Sequence, residues 1–500
     1  MNYFLALLPI LVVIGCMLIF RWGSHKAGPL GWLAGLAIAA GAFGLNWQVL
    51  WVSQVKALLL ALNVLLILWT ALFLYNLVEG VGGIDAVAES LGCVIEDSGW
   101  LQIVLAWALT GVVEGLAGFG LPMAIVAPML VSLGVTPVAA VAASAIGHVW
   151  AASFGNMGVV LQMLVSVTGV EMEVIIPFAL VLLGTVCLGS GLAAAAVLGK
   201  FSYWRRILLL GLIMTGVQAV AASAGLYVLG SFLASLAGIG AGIRLAGRKT
   251  GKPNPRAAAA LRGALAAYGL LTLLIIVTNL SMQVRSVLGQ VVWQFNFPEV
   301  TSRLGLVTAA GPGQVFRPLI HPAFLILITS FAAYIFFIRT GLAPSALWNS
   351  AQKRTVRSGS IVAIGVIFMV GLSTLMEHTG MTHLIAQGMA QISGAAFPFI
   401  SPLIGMLGSF ATGSNSNSNV LFGPMQKSVA LVLGIDAPVL LAGQTAGGSI
   451  GSMIAPTKLV VGCSTTGLMG QDGLVLRKTI PVGIALGILA GVVMLALVYL

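Results

Sequence analysis

Two stretches of this sequence carry residue types suited to handling a small ion or anion. The first is VEGLAGFGLP, residues 113–122. Its carboxylate, Glu114, closes an apolar run, and Gly115, Gly118, Gly120 and Pro122 would break a helix directly after it. A break inside protein exposes backbone N–H groups, which together with a helix-dipole end can hold an anion. A carboxylate buried in a membrane costs about 3 kcal/mol unless it is protonated or paired, which makes Glu114 a candidate proton carrier. The competing reading is an interfacial Glu114, solvated or paired with a lysine. The second stretch is TGSNSNSN, residues 412–419, where Thr412, Ser414, Asn415, Ser416, Asn417, Ser418 and Asn419 surround a lone Gly413. In a partly unwound segment these hydroxyls and amides could replace a small solute's hydration shell without adding fixed charge. That suits a ligand with both a carboxylate and a hydroxyl, and it also suits a sodium ion. Polar residues that merely glue helices together usually come about one per turn, not in a run.

A third pair of segments follows these two: GHVWAASFGNMG at 147–158 and AGQTAGGSIGSMIAPTK at 442–458. His148 could relay protons near neutral pH, or it could be a neutral, hydrogen-bonded core residue. Gln444 and Thr445, with Asn156, Ser449 and Ser452, could add polar contacts, while the Gly and Ala residues permit close helix approach. Lys458 reads either as an anion lure or as an interfacial lysine reaching for water. The four cysteines are scattered, with no CxxC and no histidine at ligand spacing, so neither a metal nor another cofactor is expected. No HExxH, paired-Asp or Ser-base motif argues for an enzyme.

The elements that must position these residues are membrane helices. Of 500 residues 59% are hydrophobic and 7% charged, with mean hydropathy +1.09, and apolar runs of spanning length recur. The expected class is an all-α polytopic membrane protein of about 12–14 transmembrane helices. The net charge of +11 does not indicate nucleic acid, because its basic residues gather in short loops. These are Lys200, Arg205 and Arg206; Arg244, Arg248, Lys249, Lys252, Arg256 and Arg262; and Arg339, Lys353, Arg354 and Arg357. The positive-inside rule puts all three loops in the cytoplasm. Residues 341–357 read as a basic amphipathic segment on that surface.

The chain also echoes itself at a spacing near 300. Glu79 matches Glu377, Glu114 matches Thr412, Gly115 matches Gly413, and Ala127-Pro128-Met129 returns as Gly423-Pro424-Met425. Matching Gly/Pro-interrupted apolar segments in two halves mark a transporter's binding site. The expected organisation is N-terminal helices over 1–56, a first repeat over 57–173 with a hairpin at 115–135, and connecting helices over 174–356. A second repeat follows over 357–479 with a hairpin at 413–435, then a last helix over 480–500. Counting each hairpin as a crossing or a re-entrant loop changes the parity, so the relative orientation of the repeats stays open.

At VEGLAGFGLP (113–122), SFGNMG (153–158), TGSNSNSN (412–419) and GSMIAP (451–456) the sequence resembles the lactate permease family. The resemblance implies an ion-transporter-like fold with two inverted repeats, each holding a re-entrant hairpin and broken helices. It also implies proton-coupled symport of lactate and glycolate across a prokaryotic cell membrane, with no cofactor. Glu114, Gly115, Gly118, Gly120, Thr412, Ser414, Ser418 and Asn419 carry over directly. Two departures stand out: Asn415 where an Asp is expected, and His148-Val149-Trp150. They shift the burden of proton coupling toward Glu114 and His148 and leave open which acid and which ion are carried. Expected partners are thus a small monocarboxylate, protons and lipid; a sodium-coupled carboxylate carrier or a cation/proton antiporter on the same fold is the alternative.

Overall fold

The computed structural model describes residues 2–20, 22–118, 120–246 and 251–500. Phe119 of the first motif, and Arg248 and Lys249 of the second basic loop, lie outside the described residues. The chain is almost wholly helical, as a membrane demands, since a helix satisfies its own backbone polar groups. Among the described residues, 11 helices are long and apolar enough to cross a membrane.

Three sets of contacts assign the two faces. Helix Trp47–Gly80 ends where Glu79 pairs with Arg354 at the start of helix Leu347–His378. On the same face Asp97 meets Tyr203 and Arg206, and Asn254 donates its backbone N–H to Glu89. This face gathers the basic loops and is therefore cytoplasmic. Helix Leu347–His378 runs the other way along Trp47–Gly80, and its end, His378, shares a cavity with Val52, Lys56 and Phe297 on the outer face. The segment 281–321 caps that outer face as an ordered connection of helix Met282–Leu288 and two short antiparallel strand pairs.

The internal repeat is visible element by element. The long helices ending at Gly80 and His378 are each followed by a left-handed glycine, Gly82 and Gly380, and then by a short helix, Gly83–Val94 or Met381–Ser393. Next comes a hairpin: Ser98–Leu116 returning as Leu121–Ser132, and Phe397–Thr412 returning as Asn415–Leu433. The first hairpin therefore enters from the cytoplasmic face and the second from the outer face. The repeats are inverted. Each hairpin is followed by a span broken midway, Pro137–Gly147 with Val159–Thr168, and Ala437–Ser452 with Pro456–Thr465.

The two repeats interlock crosswise. The return arm Leu121–Ser132 packs on Pro456–Thr465, and Asn415–Leu433 packs on Val159–Thr168. The structure refines three expectations. Residues 347–357 keep the expected exposed basic face on the cytoplasmic surface, but as the end of a continuous helix and not a separate segment, because nothing in their sequence breaks it. The polar run is unwound only at Gly413 and Ser414, and Asn415 to Asn419 form the first turns of the next helix, with the Ser414 hydroxyl capping Asn417 N–H at 3.4 Å. Finally, the equivalent caps are Ala117 and Gly413, each donating to the carbonyl four residues back. That pairs Glu114 with Phe410 instead of Thr412. The first tip needs two more residues than the second, and sequence matching absorbed the difference.

Candidate functional site

Both hairpin tips converge on the start of helix Pro456–Thr465. Gly120, in a left-handed turn with φ 84°, faces the Lys458 carbonyl at 3.6 Å from where a Cβ would stand. Gly413, with φ 71°, leaves only 2.0 Å between such a Cβ and Thr457 Oγ1. A side chain at either position would strain the turn, and at Gly413 it would also collide. Lys458 is buried, with 8% of its surface exposed, which corrects the interfacial reading. Among the described residues it makes no ion pair, yet it lies within electrostatic reach of Glu114 and His148.

Glu114 sits in the last turn before the first tip, 1% exposed, and its Oε2 has no hydrogen-bond partner. Around it the packing is close. Gly115 lies against Phe232, Gly155 against the Glu114 carbonyl, and Gly118 against the Asn156 side chain, 2.3 Å from Oδ1 to a notional Cβ. Asn156 and Met157 carry the positive φ values of the break in the first broken span, 50° and 53°, and Asn156 Oδ1 is also unpartnered. His148 lies fully buried at the start of that break. Its Nδ1 is 3.3 Å from the Ser144 carbonyl and its Nε2 3.1 Å from Ser452 Oγ, so it bridges the two broken spans.

The polar run of the second hairpin divides by use. Thr412 bonds its own helix at the Gly408 carbonyl, 2.7 Å away, and Ser414 is spent as a cap. Ser418 donates to the Gly405 carbonyl at 2.8 Å and accepts from Gln444 at 2.9 Å, while Gln444 continues to Gln426. Those residues hold the hairpin together. Asn415 and Asn419 reach across instead. Asn415 Nδ2 lies 3.3 Å from Ser153 Oγ, 3.1 Å from the Thr445 carbonyl and 3.1 Å from Ser449 Oγ. Asn419 Nδ2 donates to the Val160 carbonyl and to Thr445 Oγ1, both at 3.1 Å. Their Oδ1 atoms are buried without partners, and Gly448 makes room for that of Asn415. Ser416 and Asn417 are buried and make no side-chain hydrogen bond among the described residues. Ser153, which joins Asn415 to Thr445 and Ser449, was legible only as part of SFGNMG; nothing in its spacing announces a partner 262 residues away.

The arrangement thus holds one buried lysine, one buried acid and three unused amide oxygens, those of Asn156, Asn415 and Asn419, beside two helix breaks. Buried polar atoms without partners are rare in folded proteins and mark places where a ligand or water completes the bonding. Comparison with known proteins is consistent along the whole length. The sequence profile of the L-lactate permease family matches residues 2–500. The chain is 27% identical to the L-lactate permease of Bacillus subtilis, covering 96% of this chain and 93% of that protein. It is 25% identical to the glycolate permease GlcA of Escherichia coli, covering 100% and 96%. Among solved structures, the Alcanivorax borkumensis YdaH transporter, described as having an unusual topology, superposes with a TM-score of 0.51 at 16% identity, over 87% of this chain and 85% of that one. That likeness speaks to the fold.

Proposed function

Because this chain belongs to the L-lactate permease family, we propose that it is a secondary transporter carrying lactate, glycolate and related 2-hydroxymonocarboxylates with protons across a bacterial cell membrane. The observation that carries this reading is the buried, unpaired Lys458 between the two hairpin tips, within electrostatic reach of Glu114. A buried ammonium needs a counter-charge, and two candidates compete for it. With Glu114 protonated, the substrate carboxylate takes that place. With Glu114 ionised, the glutamate takes it and the substrate is expelled. Binding and protonation are then one event, which is what symport requires.

The unused Oδ1 atoms of Asn415 and Asn419 accept from the 2-hydroxyl, the donor that a 2-hydroxy acid has and a plain carboxylate lacks. The hairpins enter from opposite faces, so moving the crosswise-packed arms exposes the site to one side at a time. His148, tied to Ser452, holds the broken spans in register, and in this reading it would relay the proton.

Glu114→Gln keeps the shape but cannot release a proton. Reconstituted in liposomes, this variant should retain lactate counterflow and lose accumulation driven by a pH gradient. Normal gradient-driven accumulation would remove Glu114 from the coupling role. A sodium-coupled reading draws on the oxygens of Thr445 and Ser449, which lie within 3.0 Å of Ser153 Oγ. Uptake that requires sodium at fixed pH would favour it.

A further inference from the structure

The outer face holds a polar feature that the central site does not use. Arg317 stands between two cavities. The inner one, about 300 Å³, is walled by Asn63, Gln162, Tyr227, Gln314 and His321. The outer one is a bowl of about 330 Å³ between Arg285, Ser286, Gln290 and the same Arg317. Both arginines are exposed, and among the described residues the ion pairs are Arg206 with Asp97 and Arg354 with Glu79, so neither of these two has a carboxylate bonded to it. Glu173, like Arg285, lies within electrostatic reach of Tyr227.

The inner cavity is built, not a gap between loops. His321 Nε2 bonds Asn63 Oδ1 at 3.1 Å across the wall, and the Tyr227 hydroxyl reaches Gln162 Oε1 at 3.5 Å. Gln314 Oε1 is buried with no partner. The cavity also ends at the transport machinery. Gln162 belongs to helix Val159–Thr168, on which the second hairpin's return arm packs. The Tyr227 ring lies 3.3 Å from where a Gly158 Cβ would stand, and Gly158 closes the left-handed stretch Asn156–Gly158 that touches the first hairpin tip at Gly118.

We propose that the two cavities form an external vestibule that collects a small carboxylate: Arg285 draws the anion in, Arg317 binds its carboxylate, and Asn63, Gln162 and Gln314 take its remaining polar groups before it reaches the hairpins. This rests on the reading of the protein as a carboxylate carrier. Two guanidiniums lining adjoining open cavities raise the local concentration of an anion and its rate of capture, an effect that salt weakens.

The test is the concentration dependence of labelled-lactate uptake in right-side-out membrane vesicles at matched transporter abundance. At low ionic strength Arg317→Gln should raise the apparent KM about fivefold with Vmax held within about twofold, Arg285→Gln should act the same way more weakly, and high salt should shrink both effects. Arg317→Lys should recover most of the loss. In inside-out vesicles, where lactate enters from the cytoplasmic face, KM should stay at the wild-type value. A wild-type KM for Arg317→Gln in right-side-out vesicles, or an equal rise from both sides, would overturn the vestibule. Arg285 lies on a separate helix and tests it independently if Arg317→Gln inserts poorly. If the wild type itself takes up no lactate, the carrier reading falls, and the vestibule with it.

Discussion

Asn415 shows how a residue's partners decide its job. Its Nδ2 faces three acceptors but has only two N–H groups, so one acceptor is always left for water, ligand or a neighbouring hydroxyl. Its Oδ1 has none at all. Ser418, three residues on, is fully engaged, donating within its own hairpin to the Gly405 carbonyl and accepting from Gln444 on the next helix. The two belong to one polar run in the sequence, yet one keeps an unbonded oxygen and the other is fully bonded. Asn415→Ala should therefore lower lactate counterflow by roughly tenfold, in line with about 1–3 kcal/mol for stranding buried polar partners, while membrane abundance stays near normal. Wild-type counterflow in that variant would take Asn415 out of the site. Glu114 and Lys458 belong to the same scale, since in the proposed mechanism a single proton on Glu114 would decide which anion the lysine holds.

At the scale of elements, the first hairpin depends on how its outer arm starts. Asp97 caps it, accepting from Gly99 N at 3.0 Å and Trp100 N at 3.1 Å, and the Tyr203 hydroxyl bonds both carboxylate oxygens at 2.8 Å. Burial works against the charge, but the Tyr203 hydroxyl, the two backbone N–H groups and Arg206 outweigh it and hold the Asp97 carboxyl below its usual range. A carboxyl depressed in the folded state stabilises the fold above its unfolded pKa, near 4, and that contribution disappears as pH falls through the folded value. The melting temperature in detergent should accordingly drop below about pH 4, and it should drop less for Asp97→Asn, which keeps the cap acceptor without the charge. Parallel curves for the two proteins would show that Asp97 is not the responsible group. The arm itself contains a π-helical segment, Leu105–Leu109, a local widening against which Gly147 packs at the Ala106 carbonyl. The second hairpin is held as tightly: a Cβ at Gly447 would stand 1.8 Å from the Pro402 carbonyl, so glycine is what lets these helices touch.

At the scale of the whole molecule, the inverted repeats place equivalent turns on opposite faces. Thr136 and Asp436 each precede a broken span, both exposed, and each is followed by a proline within the first two helical positions. In a background free of native cysteines, Asp436→Cys should react with an impermeant maleimide on right-side-out vesicles, and Thr136→Cys should react only after permeabilisation. Labelling of both from outside would overturn the inverted arrangement. Crosswise packing of each return arm on the other repeat would, in the proposed mechanism, couple protonation at Glu114 in one half to binding at Asn415 in the other.

The sequence by itself determined what local chemistry controls. Hydropathy set the class, glycines marked the breaks at Gly118, Gly120 and Gly413, and charge set the cytoplasmic face. The repeat was legible too, because Glu79 and Glu377, and the glycines that follow them, recur at the same junctions. Only the tertiary structure decided which residues meet: that Lys458 is buried between both tips, that Ser153 joins Asn415, that Glu114 pairs by cap geometry with Phe410, and that the hairpins enter from opposite sides. Helix breaks and membrane partitioning follow from neighbours along the chain. Contacts between helices hundreds of residues apart follow from which small-residue faces can close together, and no periodicity in the sequence records that choice.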